Sequence, residues 1–122
     1  MNIQIRSFAD AGDIEKERMS LRVSANIDLG AYAIFFTLTS SDGKPTAGNK
    51  VAYWFPDANV KVGDLVVLYT KSGERRTKEL TTGGTAHFFF WGLKKPIWNT
   101  PKAGCVLLSV DEWEWKAPDE TK

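Results

Sequence analysis

The strongest constraint in this sequence is an alternation of apolar and polar residues that continues from residue 19 to residue 27. Such a period of two puts the apolar side chains on one face of an extended strand. The apolar residues are Met19, Leu21, Val23, Ala25 and Ile27, and the polar residues between them are Ser20, Arg22, Ser24 and Asn26. The segment is therefore predicted to be a strand with one buried face.

Further runs rich in β-branched and aromatic residues are separated by turn residues such as Asp42-Gly43 and Pro56. They predict strands over residues 3–8, 32–39, 51–55, 65–70, 87–91 and 105–110, with 112–116 either continuing the last strand or pairing beside it. The acidic segment 10–17 is predicted to be a loop or at most one helical turn, and the charged segment 75–79 an edge strand or loop. No segment keeps a helical period over three turns. We therefore predict an all-β, immunoglobulin-like antiparallel β-sandwich of about eight or nine strands with little helix.

Length and charge predict one soluble domain without a strong field of either sign. The 122 residues contain 16 Lys and Arg against 15 Asp and Glu, a net charge of +1, so no bulk charge would attract nucleic acid or a membrane. We expect a single domain over 1–122, with 117–122 as a flexible tail. The only cysteine, Cys105, fits a reducing compartment. Without a leader pattern or a long apolar run, we expect a cytoplasmic location.

Several packing and turn residues occur in an order that resembles the lamin tail domain, in its bacterial, stand-alone form. They are Leu21, Arg22, Val23, Gly30, Tyr32, Tyr53, Phe55, Pro56, Val60, Val62, Gly63, Leu65, Val66, Val67, Leu68, Tyr69, Trp91, Ile97, Trp98, Asn99 and the strand 106–110. The resemblance covers nearly the whole chain. It implies an immunoglobulin-like fold and an interaction or anchoring module with no catalytic residues. Because a fold does not fix a function, the resemblance leaves the partner open.

Catalytic chemistry has little support in the sequence. His87 is the only histidine, and no second ligand, serine or carboxylate lies near it in the chain, so we expect a strand residue at a margin of the sheet. Cys105 begins an apolar strand and is expected to be a small buried hydrophobe. We therefore expect no enzyme, no catalytic residue, no metal site and no cofactor.

A cluster of basic residues supports nucleic-acid binding as an alternative function. It combines the segment 71–78 with two lysines farther along the chain, and its members are Lys71, Arg75, Arg76, Lys78, Lys94 and Lys95. These side chains would bind phosphates while Trp91 or Trp98 stacks on a base. Because Glu74 and Glu79 are interspersed, a solvated sheet edge is the favoured interpretation of the cluster.

Aromatic residues carry the leading hypothesis. In a strand, Phe88 and Phe90 would share one face while Phe89 and Trp91 share the other. Both faces need burial, by the core, by a covering segment or by a partner. The candidate protein-interaction residues are Phe88, Phe89, Phe90, Trp91, Trp98, Trp113 and Trp115. The leading hypothesis is a non-enzymatic interaction or scaffolding module that binds another protein, or itself as a homodimer.

Overall fold

The computed structural model describes residues 1–118, which form an all-β, sandwich-like fold with ten strands. In chain order these are β1 (Ile3–Ala9), β2 (Arg18–Val23), β3 (Ile27–Asp28), β4 (Tyr32–Leu38), β5 (Val51–Trp54), β6 (Asn59–Val60), β7 (Leu65–Tyr69), β8 (Arg76–Glu79), β9 (Thr85–Phe90) and β10 (Ala103–Ser109). A 3-10 turn over Leu29–Ala31 is the one helical element in these residues. No helix in this part of the chain is long and apolar enough to cross a membrane.

The strands form a five-stranded sheet in the order β1-β2-β7-β9-β8, a three-stranded sheet in the order β10-β4-β5, and the pair β3-β6. The predicted all-β sandwich is confirmed, but two details differ. The described chain has ten strands, and β7 and β9 pair in parallel. The parallel pair arises because β9 inserts between β7 and β8. Its apolar side chains face both ways, whereas β8 is charged and fully exposed, which suits β8 to the edge.

One predicted strand is divided in the structure, and another does not form. The alternating segment 19–27 divides into β2 and β3, because the chain leaves the large sheet at Ser24 and β3 pairs with β6 instead. Residues 112–116, predicted to be a strand, have no regular structure. Val110 still donates its N–H to the Ala31 carbonyl at 2.7 Å, but the partner strand β4 begins only at Tyr32. Beyond Val110 the ladder has no partner strand.

The core lies between the inner faces of the five-stranded and three-stranded sheets. Its fully buried members include Ile3, Met19, Leu21, Leu29, Ile34, Val66, Leu68 and Phe89. The Phe89 ring meets Phe55 edge-on at a centroid distance of 5.4 Å, and Trp91 packs against the same core. Phe89 is 1% exposed, so it is a core residue and offers no surface to a partner. Of the predicted tail, only Ala117 and Pro118 are described, both exposed and without regular structure.

Candidate functional site

The outward face of the five-stranded sheet concentrates basic side chains. Met19 and Leu21 face the core, so the residues that alternate with them, and their partners in register, face outward. These are Gln4, Ser7 and Ala9 on β1; Arg18, Ser20 and Arg22 on β2; Leu65, Val67 and Tyr69 on β7; Ala86, Phe88 and Phe90 on β9; and Arg76 and Lys78 on β8. Within these described strands the outward set contains four basic residues and no acidic residue.

Aromatic rings occupy the middle of this face. Tyr69 and Phe90 are stacked with their centroids 5.3 Å apart and their planes at 15°, and Phe88 lies 6.4 Å from Tyr69. All three are partly exposed. Ser20 and Ala86 have short side chains next to these rings, and both are buried beneath the longer side chains around them. We call the set Arg18, Arg22, Tyr69, Arg76, Lys78, Phe88 and Phe90 the basic aromatic face.

Cations lie directly over the rings of the basic aromatic face. The Arg76 guanidinium is 4.1 Å from the Phe88 ring centroid, and Arg18 and Lys71 are 5.9 and 5.6 Å from that of Tyr69. Such contacts are electrostatically favourable and keep the charged ends beside the rings. Phosphate groups and flat aromatic rings are the groups that this combination can bind together.

Register divides the basic aromatic face into rows that run across the strands. Arg22 and Lys78 belong to one row, with Leu65 and Ala86 between them, and Phe88 and Arg76 belong to the next. The third row, Arg18-Tyr69-Phe90, borders an open cleft of about 580 Å³. Three acidic residues also line this cleft, namely Asp10, Glu15 and Glu74. The first two rows are therefore the more basic end of the face.

The structure separates the predicted basic cluster. Arg76 and Lys78 point outward, whereas the Arg75 guanidinium lies 5.0 Å from the ring of the core residue Phe89, on the other side of the sheet. Lys94 and Lys95 are exposed on the loop after β9. This loop starts near Lys71 because Gly92 donates its N–H to the Lys71 carbonyl.

The two tryptophans expected to stack on bases lie away from this cluster. Trp98 packs on Phe8 at a centroid distance of 5.0 Å and on Trp91 at 6.2 Å, and Trp91 also contacts Tyr53. Both are partly buried between the sheets. They cannot stack on a base held by β8, and the rings of the basic aromatic face are the ones placed to do so.

The sequence does not single out Arg18, Arg22 and Tyr69. A signal exists, since basic residues recur at even spacing in two separate strands. It becomes a site only when β2 and β8 are known to belong to one sheet with β7 and β9 between them.

Trp113 and Trp115 lie elsewhere and do not cover Phe88 or Phe90. They are 64% and 77% exposed, and Trp113 meets Trp54 edge-on at 5.0 Å beside the three-stranded sheet. The cover over the outward aromatic rings comes instead from the long basic side chains described above.

His87 is not at a margin of the sheet, contrary to the prediction. It is 8% exposed, and its Nε2 lies 2.9 Å from an oxygen of buried Asp64. This carboxylate comes from the turn before β7, which the fold brings beside β9. The other ring nitrogen, Nδ1, is buried without a hydrogen-bond partner. His87 and Asp64 thus lie in the interior, and within residues 1–118 no nucleophilic side chain is hydrogen-bonded to Nδ1 of His87.

Cys105 is half-buried in β10, and its Sγ lies 3.8 Å from the sulfur of Met19. Burial raises the pKa of the Cys105 thiol to about 12, so the thiol is protonated and a poor nucleophile at neutral pH. Among residues 1–118, no three His, Cys, Asp or Glu side chains are grouped as a protein metal site would require.

No protein-family model matches the chain, and a comparison with curated proteins found no match. The resemblance to lamin tail domains therefore stays a prediction. Fold and site together define an all-β sandwich with one basic, aromatic sheet face.

Proposed function

We propose that this protein is a non-enzymatic binding module that holds single-stranded nucleic acid on the basic aromatic face. The observation that carries the proposal is the outward set of the five-stranded sheet, where four basic residues surround three aromatic rings, and of these four Arg18 is ion-paired with Asp10 at 2.7 Å. Nucleic-acid binding thus moves ahead of the protein-interaction hypothesis that the sequence favours. The change rests on register, which places Arg18 and Arg22 opposite Arg76 and Lys78.

The dimensions of the face suit a single strand. Five strands at a spacing of about 4.8 Å give a face roughly 19 Å wide. Basic residues at both sides would bind phosphates, and the central rings would stack on bases, a contact worth about 1–3 kcal/mol per base. Arg76 would exchange its contact with the Phe88 ring for a phosphate. Because acidic residues border the Arg18 row, the bound strand is expected to follow the rows of Arg22 and Arg76.

Protein interaction stays a second candidate because two tryptophans in contact, Trp54 and Trp113, form an exposed apolar patch elsewhere. Trp54, Trp113 and Trp115 are 48%, 64% and 77% exposed. Exposed tryptophans are enriched at the energetic centres of protein interfaces. The resemblance to lamin tail domains supports the same interpretation. This patch lies beside the three-stranded sheet and is separate from the basic aromatic face.

Anisotropy of a labelled single-stranded oligonucleotide is expected to report binding that weakens steeply with salt. Each phosphate contact on a single strand contributes about −0.7 to the slope of log K against log salt, so contacts with Arg22, Arg76 and Lys78 predict a slope of about −2. Arg76→Glu is expected to weaken binding about tenfold or more at about 50 mM salt. Phe88→Ala is expected to weaken binding to a normal oligonucleotide, but not to an abasic oligomer of the same length.

Arg75→Glu is the matched control, because it makes the same charge change one residue away on the opposite side of the sheet. It should weaken binding less than Arg76→Glu does. Equal losses in the two variants would show that only overall charge matters and would refute the assigned face. Constant anisotropy at about 50 mM salt would reject nucleic-acid binding altogether.

A further inference from the structure

The free edge of β10 is the least protected sheet edge in the described part of the chain. The other edge strands each carry a feature that discourages pairing. In β8 three of the four residues are charged, and β1 has a register shift between Ile5 and Ser7. β5 has four residues and is followed within two residues by Pro56, and β3 and β6 have two residues each. In contrast, β10 has seven residues, Ala103–Ser109, with no charge and no proline. It pairs with β4 in unbroken register.

The hydrogen-bonding phase of β10 shows which groups its free edge presents. Thr39 donates its N–H to the Lys102 carbonyl at 2.9 Å, and Val110 donates to Ala31 at 2.7 Å. Both bonded residues on this side have even numbers. In an antiparallel ladder the bonded pairs recur at every second residue, so the even-numbered residues of β10 bond to β4. The N–H and C=O groups of Cys105, Leu107 and Ser109 therefore point away from β4.

Charges at the two ends of β10 favour a second copy of the same strand. Lys102 precedes the strand, whereas Asp111 and Glu112 follow it, and all three are exposed. An antiparallel copy would bring Lys102 of each chain to the acidic end of the other. When the two Leu107 residues are opposite each other, Ala103 of each chain is opposite Asp111 of the other. Lys102, which precedes Ala103, then lies beside this acidic residue at both ends. A parallel copy would instead place like charges together.

An apolar groove beside the same edge would be covered by such a copy. The groove has a volume of about 260 Å³, and Ile5, Phe8, Trp98 and Cys105 line it. Ile5 and Phe8, at the neighbouring edge of the other sheet, are 36% and 45% exposed. Apolar side chains at an open sheet edge are typical of strand-addition sites.

We infer that the protein forms a symmetric dimer by antiparallel pairing of β10 with β10 of a second copy. The pairing joins two three-stranded sheets into one continuous six-stranded sheet, and the same surface of each copy forms the contact. This interface is independent of the proposed nucleic-acid function, because the basic aromatic face belongs to the other sheet.

The mass of nuclease-treated protein, measured by light scattering across a concentration series, tests the dimer. It is expected to rise from 13.6 kDa toward twice that value. Ser109→Pro removes an outward N–H from an exposed residue and adds no charge, so it should leave a folded monomer. Circular dichroism and the melting temperature establish that this variant is folded.

Charge reversal tests the antiparallel register. Lys102→Glu alone and Asp111→Lys alone should each raise the dimer dissociation constant about tenfold or more, because each places like charges together at both ends. The double variant Lys102→Glu/Asp111→Lys should restore the wild-type constant. A mass that stays at 13.6 kDa for the wild type, a folded Ser109→Pro that still dimerises, or a double variant that is no better than the singles would each overturn the inference.

Discussion

Glu17→Ala is expected to lower the free energy of unfolding by about 3–5 kcal/mol, because it removes a buried charged acceptor and leaves its donors unpaired. Glu17 is fully buried, and its carboxylate accepts four hydrogen bonds. One oxygen accepts from the N–H groups of Gly12 and Trp98 at 3.0 and 3.2 Å. The other accepts from the Thr70 hydroxyl and from the Ile97 N–H. A single side chain thus connects the 10–17 loop, the end of β7 and the loop before β10.

Glu17→Gln separates the role of the carboxylate from that of side-chain volume. Whichever way the amide turns, its NH₂ group faces at least one backbone N–H, from Ile97 or from Gly12 and Trp98. We expect a loss of about 1–3 kcal/mol despite the nearly unchanged shape. Glu15→Ala is the control, because Glu15 is an exposed carboxylate in the same loop. Urea unfolding followed by tryptophan fluorescence measures all three variants. A Glu17→Ala midpoint equal to that of Glu15→Ala would refute the role of Glu17.

The strands and their buried faces are largely visible in the sequence, because the period of two and the turn residues are local properties. Phe88 and Phe89 show this well, since alternation alone predicts that their side chains leave the sheet on opposite sides. Sheet order is not local. Nothing within β9 indicates that it lies between β7 and β8, so the parallel pair could not be predicted.

The polar interior was the harder part to predict for the same reason. Glu17 is one acidic residue among several in a segment that was expected to be a solvated loop, and its donors come from residues 53 to 81 positions away, apart from Gly12. His87 and Asp64 are likewise 23 residues apart. The basic aromatic face depends equally on register between distant strands. The sequence shows which residue types are present, but only the folded structure shows which of these distant residues lie next to one another.

Asp64→Asn is expected to change how stability depends on pH. Burial would by itself raise the pKa of the Asp64 carboxyl, but the Lys61 N–H, the His87 ring and the Thr85 N–H bond to it and hold that pKa below its ordinary value. The charged carboxylate therefore stabilises the folded state fully above the ordinary pKa of about 3.9. This stabilisation is lost as the pH falls through the lower folded pKa.

Asparagine cannot titrate, and its NH₂ group replaces an acceptor of these bonds, so Asp64→Asn should be about 1–3 kcal/mol less stable than the wild type at neutral pH. The two proteins should converge in stability as acid protonates Asp64 in the wild type. Asp28, whose pKa is lowered by N–H donors from Gly30 and Ala58, titrates in both proteins, so its contribution cancels in the difference between their curves.

Urea unfolding at a series of pH values between about 7 and about 2.5 measures this difference across the ordinary carboxyl range. Asp57→Asn, the same change at an exposed aspartate, should follow the wild-type curve throughout. A constant gap between Asp64→Asn and the wild type down to the lowest pH would mean that the Asp64 charge adds nothing to stability. In that case the hydrogen bonds to Asp64 would act through geometry alone, and a protonated Asp64 would stabilise the Gly63-Asp64 turn as well as the charged one does.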